Sequence, residues 1–297
     1  MITLGDYNTL TILRRTEHGL YLSGDEKSGD ILLPQRFVTP VMHIGEQLEV
    51  FIYLDQEERM IATTEHPLAK VGEFACLEVA WTNQYGAFLN WGLQKDLFCP
   101  FREQKQRMQR GKSYIVYVKI DEESYRLMAT AKVEKYLSVP YAEEPAQSLA
   151  AQDDPPMPLV RHGEQCDCLV WQKTDLGFKV IIDNRYQGQL YDNQIFRPLH
   201  TGDRMTAYID HVRQDGKIDV TLQPMGRQQT LDFAEVLLRY LYENDGCCNL
   251  GDHSSAELIA ARFQVSKKTF KKAVGDLYRR RLITISEEGI QLVEASD

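Results

Sequence analysis

The feature that most constrains this chain is an internal repeat. Three segments share one order of landmarks: Gly-acid, a strand-like run, a Gly-centred turn into a second run, a third, then Gly-polar and a longer alternating stretch. The first goes from "GDYNTLTILRRTEHGLYL" through "HIGEQLEVFIYLDQEERMIATTEHP", and the second from "GEFACLEVAWTNQYGAFL" through "QRGKSYIVYVKIDEESYRLMATAK". The third goes from "GEQCDCLVWQKTDLGFKV" through "HTGDRMTAYIDHVRQDGKIDVTLQP". A repeat of this kind means one supersecondary unit built three times.

Within each copy, runs such as "LEVFIYL", "YIVYVKI" and "MTAYIDHV" alternate apolar and polar residues with period two, which suits a sheet with one buried face. Five short strands in roughly 65 residues predict a small closed barrel of the OB type, since closure removes exposed edges. The expected barrels are 1–66, 67–137 and 159–226; 138–158, rich in Pro, Ala and acids, is expected to be an extended tether and the first site of proteolysis. The predicted class is mainly β with a C-terminal α+β domain over 227–297. At 297 residues and 43% hydrophobic content the chain is long enough for several cores.

The order Gly, strand, Gly-x-aromatic, Gly/Asp-x-Leu, Gly-Asp, strand resembles the S-one RNA-binding domain, an OB-fold module. That resemblance implies outer-face aromatics on the second and third strands that stack single-stranded RNA, with a histidine often following on the third. Tyr85 and Phe88 match the two aromatic places in the second copy, and Cys99 takes the histidine place. In the first copy His18 and Tyr21 take the aromatic places and Leu33 the histidine place. In the third, Leu176 and Lys179 replace the aromatics, Tyr191 falls at the histidine place, and Lys173, Arg185 and Tyr186 lie nearby. Phe178 aligns with Ala87 and is expected in the core. Base stacking on such rings contributes roughly 1–3 kcal/mol per base.

After "LQPMGR" the period changes. Leu231, Ala234, Leu237 or Leu238, and Leu241 form a helical stripe; Ser254 or Ser255 can cap a second helix with Ile259 and Phe263 inward. Ser266 can cap a third, "KKTFKKAVGDLYRRRLI", and "LITISEEGIQLVE" reads as two short strands. This order predicts a winged helix. Burying Phe270, Ala273, Val274 and Leu277 turns Lys268, Lys271, Lys272 and Arg279 outward, with Lys267 preceding them. Three barrels plus this ending are similar to the conserved virulence factor B family of bacterial RNA-binding regulators, most specifically in "TDLGFKVII", "DGKIDVTLQP" and "VSKKTFKKAVGDLYRRRLI".

A net charge of −9 argues against a uniformly basic binding surface, but its distribution is uneven. Five Lys and Arg against eleven Asp and Glu give −6 for residues 1–66, whereas eleven against eight give +3 for 67–137. Residues 161–227 balance at nine against nine, and 267–281 hold seven Lys and Arg with one acid, Asp276. Binding is therefore expected in the second and third barrels and on the third helix. The third barrel and winged helix, joined by "PMGRQQ", are expected to act together as the principal RNA-binding unit. Duplex DNA through the winged helix is the alternative partner, and a protein-interaction adaptor a third reading.

No catalytic residue, cofactor or metal site is expected. "RGKSY" imitates a phosphate loop, but Gln106 stands where its first glycine is required. The seven histidines lack metal-ligand spacing, and Asp121, Glu122 and Glu123 read as solvated turn acids. The six cysteines contain no C-x-x-C and are expected to be buried thiols. Without a leader-like start or an apolar run of about 18 residues, the expectation is a cytoplasmic protein with no membrane contact.

Overall fold

The computed structural model describes residues 1–297 apart from 27, 139–159, 196, 214, 224–226, 252, 264, 287–288 and 294–297, and apart from the side chains of 227–232. The expected tether, from 139 onward, and the first half of "PMGRQQ" lie outside the described residues. The chain divides into two compact units, Met1–Leu137 and Ser138–Asp297.

The first unit contains two closed five-stranded barrels. One is built from β1 (Tyr7–Thr16), β2 (Gly19–Leu22), β3 (Ile31–Pro34), β4 (Gln47–Leu54) and β5 (Met60–Thr63), in the order β1-β2-β3-β5-β4. The other uses β6 (Phe74–Thr82), β7 (Gly86–Asn90), β8 (Leu97–Pro100), β9 (Ser113–Ile120) and β10 (Leu127–Thr130) in the same cyclic order. In each, the third and fifth strands pair in parallel and every other pair is antiparallel. Alternation puts Ile12, Leu20, Leu22, Ile31, Leu33 and Ile52 inside the first barrel. Leu77, Val79, Leu89, Val116 and Val118 fill the second, whose core extends to Phe51 and Tyr53 of the first. Phe51 meets Tyr7 and Trp91 edge-on at 5.3 and 5.9 Å, and Lys70 bridges to Asp6 at 2.9 Å, so the two barrels share apolar and polar contacts.

The second unit opens with a third closed barrel: β11 (Gln165–Thr174), β12 (Gly177–Ile182), β13 (Tyr186–Tyr191), β14 (Arg204–Val212) and β15 (Ile218–Thr221). Phe178 is buried in its core with Val180, Ile182 and Leu190, as expected. Gly177 starts β12 with φ +139°, where an added Cβ would lie 2.0 Å from the Leu190 carbonyl oxygen. Gly19 meets Leu33 in the same way, so the glycine of the repeat is required by backbone approach at the strand entrance.

The last part is helical with a small sheet: α1 (Arg227–Glu243), β16 (Cys247–Cys248), α2 (Ala256–Phe263), α3 (Lys267–Arg279), β17 (Ile283–Ser286) and β18 (Gly289–Leu292), with sheet order β16-β18-β17. Ala234, Leu237 and Leu241 of α1 pack with Ile259 of α2 and with Phe270, Ala273, Val274 and Leu277 of α3. Ser266 caps α3 by accepting from the Thr269 N–H at 3.1 Å. For α2 it is Ser255 whose hydroxyl accepts from the Leu258 N–H.

Two expectations about polar residues need correction. Asp121 is buried because the β9–β10 turn folds around it: its carboxylate accepts from the Ser124 N–H and hydroxyl and from Arg102. The Ser124 hydroxyl holds that carboxyl below the usual range against the opposing effect of burial, with the Ser124 N–H and Arg102 reinforcing it. Among the cysteines, Cys99, Cys166, Cys168 and Cys248 are buried, but Cys76 is half-buried and Cys247, at the outer face of an edge strand, is exposed.

Candidate nucleic-acid interface

The first strand of every barrel carries one register slip, between Ile12 and Arg14, Val79 and Trp81, and Val170 and Gln172. A bulge inserts one residue, so the phase of alternation flips and the next side chain turns outward. Three equivalent outer-face triplets result from the pairing: Arg14–Tyr21–Leu32, Trp81–Phe88–Phe98 and Gln172–Lys179–Gln189.

In the second barrel this triplet is an aromatic ladder. Trp81 lies parallel on Phe88, with centroids 3.6 Å apart and planes within 4°, and Phe88 meets Phe98 at 4.9 Å. The indole N–H of Trp81 donates to Asp96 Oδ2 at 2.8 Å, fixing the ring in plane. Tyr85 stands on the turn before Gly86, where Asn83 Oδ1 accepts from the Tyr85 and Gly86 N–H groups at 2.8 and 3.1 Å. Trp81 is 43% and Tyr85 64% exposed, whereas Phe88 is half-buried beneath Trp81. The open stacking surfaces are therefore Trp81 and Tyr85, with Phe88 and Phe98 supporting them.

These rings line a groove of about 860 Å³. Its far wall comes from the first barrel, with Tyr53, Leu54, Gln56 and Glu58, and its rim carries Lys95, Arg102 and Arg126. Glu58, Asp96 and Asp121 also line it, so beside the apolar rings three cations face three acids, with Lys95 and Arg126 paired to Glu58 and Arg102 to Asp121.

Sequence reasoning singled out Tyr85 and Phe88 but not Trp81 and Phe98, which the structure stacks beside Phe88. On the third strand, Cys99 and Leu33 point inward and are buried, while the outward positions are Phe98 and Leu32. Burial pushes the Cys99 thiol up to about 12, so the place compared with a histidine holds a neutral core thiol. Tyr191 pairs with Gly177 and so corresponds to Pro34 and Pro100, one residue beyond Leu33 and Cys99.

Tyr186 is a clearer correction. It alternates inward with Gly188 and Leu190 along β13, is 3% exposed, and its hydroxyl has no hydrogen-bond partner among the described residues. It fills the core and cannot stack a base. Of its neighbours, Lys173 pairs with Asp192 at 2.6 Å, Lys179 lies over the buried Trp171 ring at 5.3 Å, and Arg185 lies over Tyr186 at 5.6 Å. Tyr191 receives a hydrogen bond from Arg213, which also pairs with Asp219. The third barrel thus offers cations and amides where the second offers rings. In the first barrel the equivalent place is self-covered: Arg14 stacks over Tyr21 at 3.9 Å and is tied to Asp30 at 3.0 Å, while His18 is exposed on the preceding turn.

On α3, Lys268, Lys271, Lys272 and Arg279 are exposed and Lys267 is half-buried. Asp276 lies 3.6 Å from Arg279 and 3.5 Å from Arg280. The Thr269 hydroxyl reaches Gln223, just after β15, at 3.3 Å. Among the described residues no group of three or more His, Cys, Asp and Glu could hold a metal ion, and no helix is long and apolar enough to cross a membrane.

Comparison with known proteins agrees with this architecture. Residues 4–65 match the S1 (S-one) domain and residues 235–292 match the CvfB-like winged helix domain. The fold and these matches define a class: a mainly β protein of tandem S1-type barrels with a C-terminal winged helix, domain types that bind nucleic acid. The expected resemblance to the conserved virulence factor B family is borne out in this domain content and along most of the chain. Staphylococcus saprophyticus conserved virulence factor B is 22% identical over 85% of this chain and 82% of its own. The uncharacterized protein YitL of Bacillus subtilis is 26% identical over 93% of this chain and 89% of its own. A crystal structure of a multidomain protein with nucleic acid binding domains from Streptococcus pneumoniae aligns over 98% of both chains with 19% identity and a TM-score of 0.42.

Proposed function

We propose that this protein binds single-stranded RNA, chiefly in the groove of the second barrel, and acts after transcription as a regulator without chemistry of its own. The observation that carries this reading is the ladder of Trp81, Phe88 and Phe98 beside Tyr85, open to a groove whose rim holds Lys95, Arg102 and Arg126. A duplex hides its base faces, so exposed rings in a narrow groove favour an unpaired strand. The second barrel's net +3 supports the same choice. Lys179 with Lys173 and Arg185, and Lys268, Lys271 and Lys272 on α3, supply secondary backbone contacts in this reading.

Titrating labelled single-stranded RNA, single-stranded DNA and duplex DNA in one buffer tests it, with binding followed by fluorescence anisotropy. RNA is expected to bind tightest, and Trp81→Ala or Tyr85→Ala to weaken it roughly ten-fold or more with unchanged circular dichroism. Duplex preference, or full binding by both variants, would overturn the reading. The log–log salt slope is expected to be shallow, reflecting a few phosphate contacts.

A further inference from the structure

We propose that Lys95 and Arg126 form a site for one phosphate of the bound strand, and that Glu58 of the first barrel fills that site when the groove is empty. The inference rests on the stacking reading above and adds an anion site to it, together with a competitor for that site. All three side chains line the same groove as Trp81 and Phe88. The two carboxylate oxygens of Glu58 are shared between the cations: Oε1 lies 3.4 Å from Lys95 Nζ and Oε2 lies 3.2 Å from Arg126 Nε. Two anionic oxygens on one centre, each facing a different cation, is also how a phosphodiester presents itself.

The backbone carries a second, independent observation. Glu58 has φ +62°, a left-handed conformation that a glutamate adopts at a cost of about 1 kcal/mol. The turn that imposes it is organised by Asp55, whose Oδ1 accepts from the Glu57 and Arg59 N–H groups at 2.8 and 2.9 Å and whose Oδ2 accepts from Arg59 Nε at 2.9 Å. The Glu58 side chain takes no part in shaping that turn, and glycine or asparagine would suit the position better. Among the described residues, its side-chain polar contacts are those with the two cations of the neighbouring barrel. Lys95 also donates to the Asp55 carbonyl at 2.6 Å, so it stays in place once Glu58 leaves.

Exchange of one carboxylate for one phosphodiester leaves the local charge unchanged. The strand therefore gains little from these cations while it must displace Glu58, and it releases few counterions there. Removing the carboxylate returns the cations to their mobile counterions, which the phosphate then sets free.

The test uses the full chain and a labelled single-stranded oligouridylate over a range of salt concentrations. Glu58→Gln is expected to tighten binding about three-fold at low salt and to steepen the log–log salt dependence by about 0.7. Glu58→Gly, which relieves the backbone, is expected to do the same. Glu57→Gln removes the same charge one residue away, from a carboxylate paired with Arg59, and is expected to leave the slope unchanged. Lys95→Gln and Arg126→Gln are expected to weaken binding and to abolish the gain from Glu58→Gln. Equal or weaker binding by both Glu58 variants, with wild-type thermal unfolding, overturns the proposal, as does a Glu57→Gln effect of the same size. A Trp81→Ala variant in the same series separates the two failures: normal binding by it sinks the stacking reading, whereas weakened binding without a Glu58 effect sinks only the phosphate exchange.

Discussion

Position within the barrel decides whether a tyrosine of this chain faces solvent or the core. Tyr85, on a turn, is exposed, whereas Tyr186, at the start of β13, is buried, and its hydroxyl has no partner among the described residues. Tyr186→Phe is accordingly expected to leave the melting temperature unchanged or raise it, because a buried hydroxyl without a partner is a penalty. Tyr186→Ala is expected to cost about 3–5 kcal/mol by opening a cavity. Thermal unfolding of both variants measures the difference. Cys99 provides a pH-dependent counterpart. Its thiol ionises near the ordinary 9.0 when unfolded and at about 12 when buried, so its contribution to stability is full below pH 9 and is lost as pH rises from 9 toward 12. Cys99→Val is expected to flatten the fall of stability over that window in urea titrations. Sequence alternation identified Phe178 as core and Phe88 as outward, but it treated Cys99 and Tyr191 as equivalent. The landmark chosen was residue type on a short strand, and only the pairing of Gly86 with Pro100 and Gly177 with Tyr191 shows the one-residue offset.

Among the elements, the strands and the helix pattern were the most legible, because period two and the stripe of Phe270, Ala273, Val274 and Leu277 are each imposed by a buried face. The bulge on the first strand of each barrel was not legible. One inserted residue changes no composition, yet it reverses which side chains of "VAWT" point outward, and that is why Trp81 was overlooked. The glycine that opens the second strand was noticed, and the structure gives its reason. Gly177→Ala would put a methyl 2.0 Å from the Leu190 oxygen in a backbone region unfavourable to alanine, and a loss on the order of 3 kcal/mol is expected. Differential scanning calorimetry should show the third barrel melting several degrees lower, while the Gly29→Ala control has open space around the added methyl but retains a positive φ and should lose far less.

For the whole molecule, charge and aromatic content are distributed unevenly between the two units. The unit Met1–Leu137 contains the ring ladder and the groove, and it has its own cores. A fragment of those residues is expected to retain most of the full-length RNA affinity, and a fragment Leu159–Asp297 to retain little, as read by anisotropy against one oligonucleotide. The reverse result would move the principal site to the cations of the third barrel and α3. Sequence analysis placed that weight on the C-terminal half because the short "PMGRQQ" connection joins the third barrel to the basic third helix, whereas a ring ladder assembled from β6, β7 and β8 exists only after folding. The recurring bulge has a broader consequence. It gives each barrel one socket at the same place in the strand pairing, fitted with a self-capping Arg–Tyr pair, an aromatic stack, or a lysine between two glutamines. Since none of these fittings reaches the interior, each barrel can exchange its tool for another's while its core sequence stays as it is.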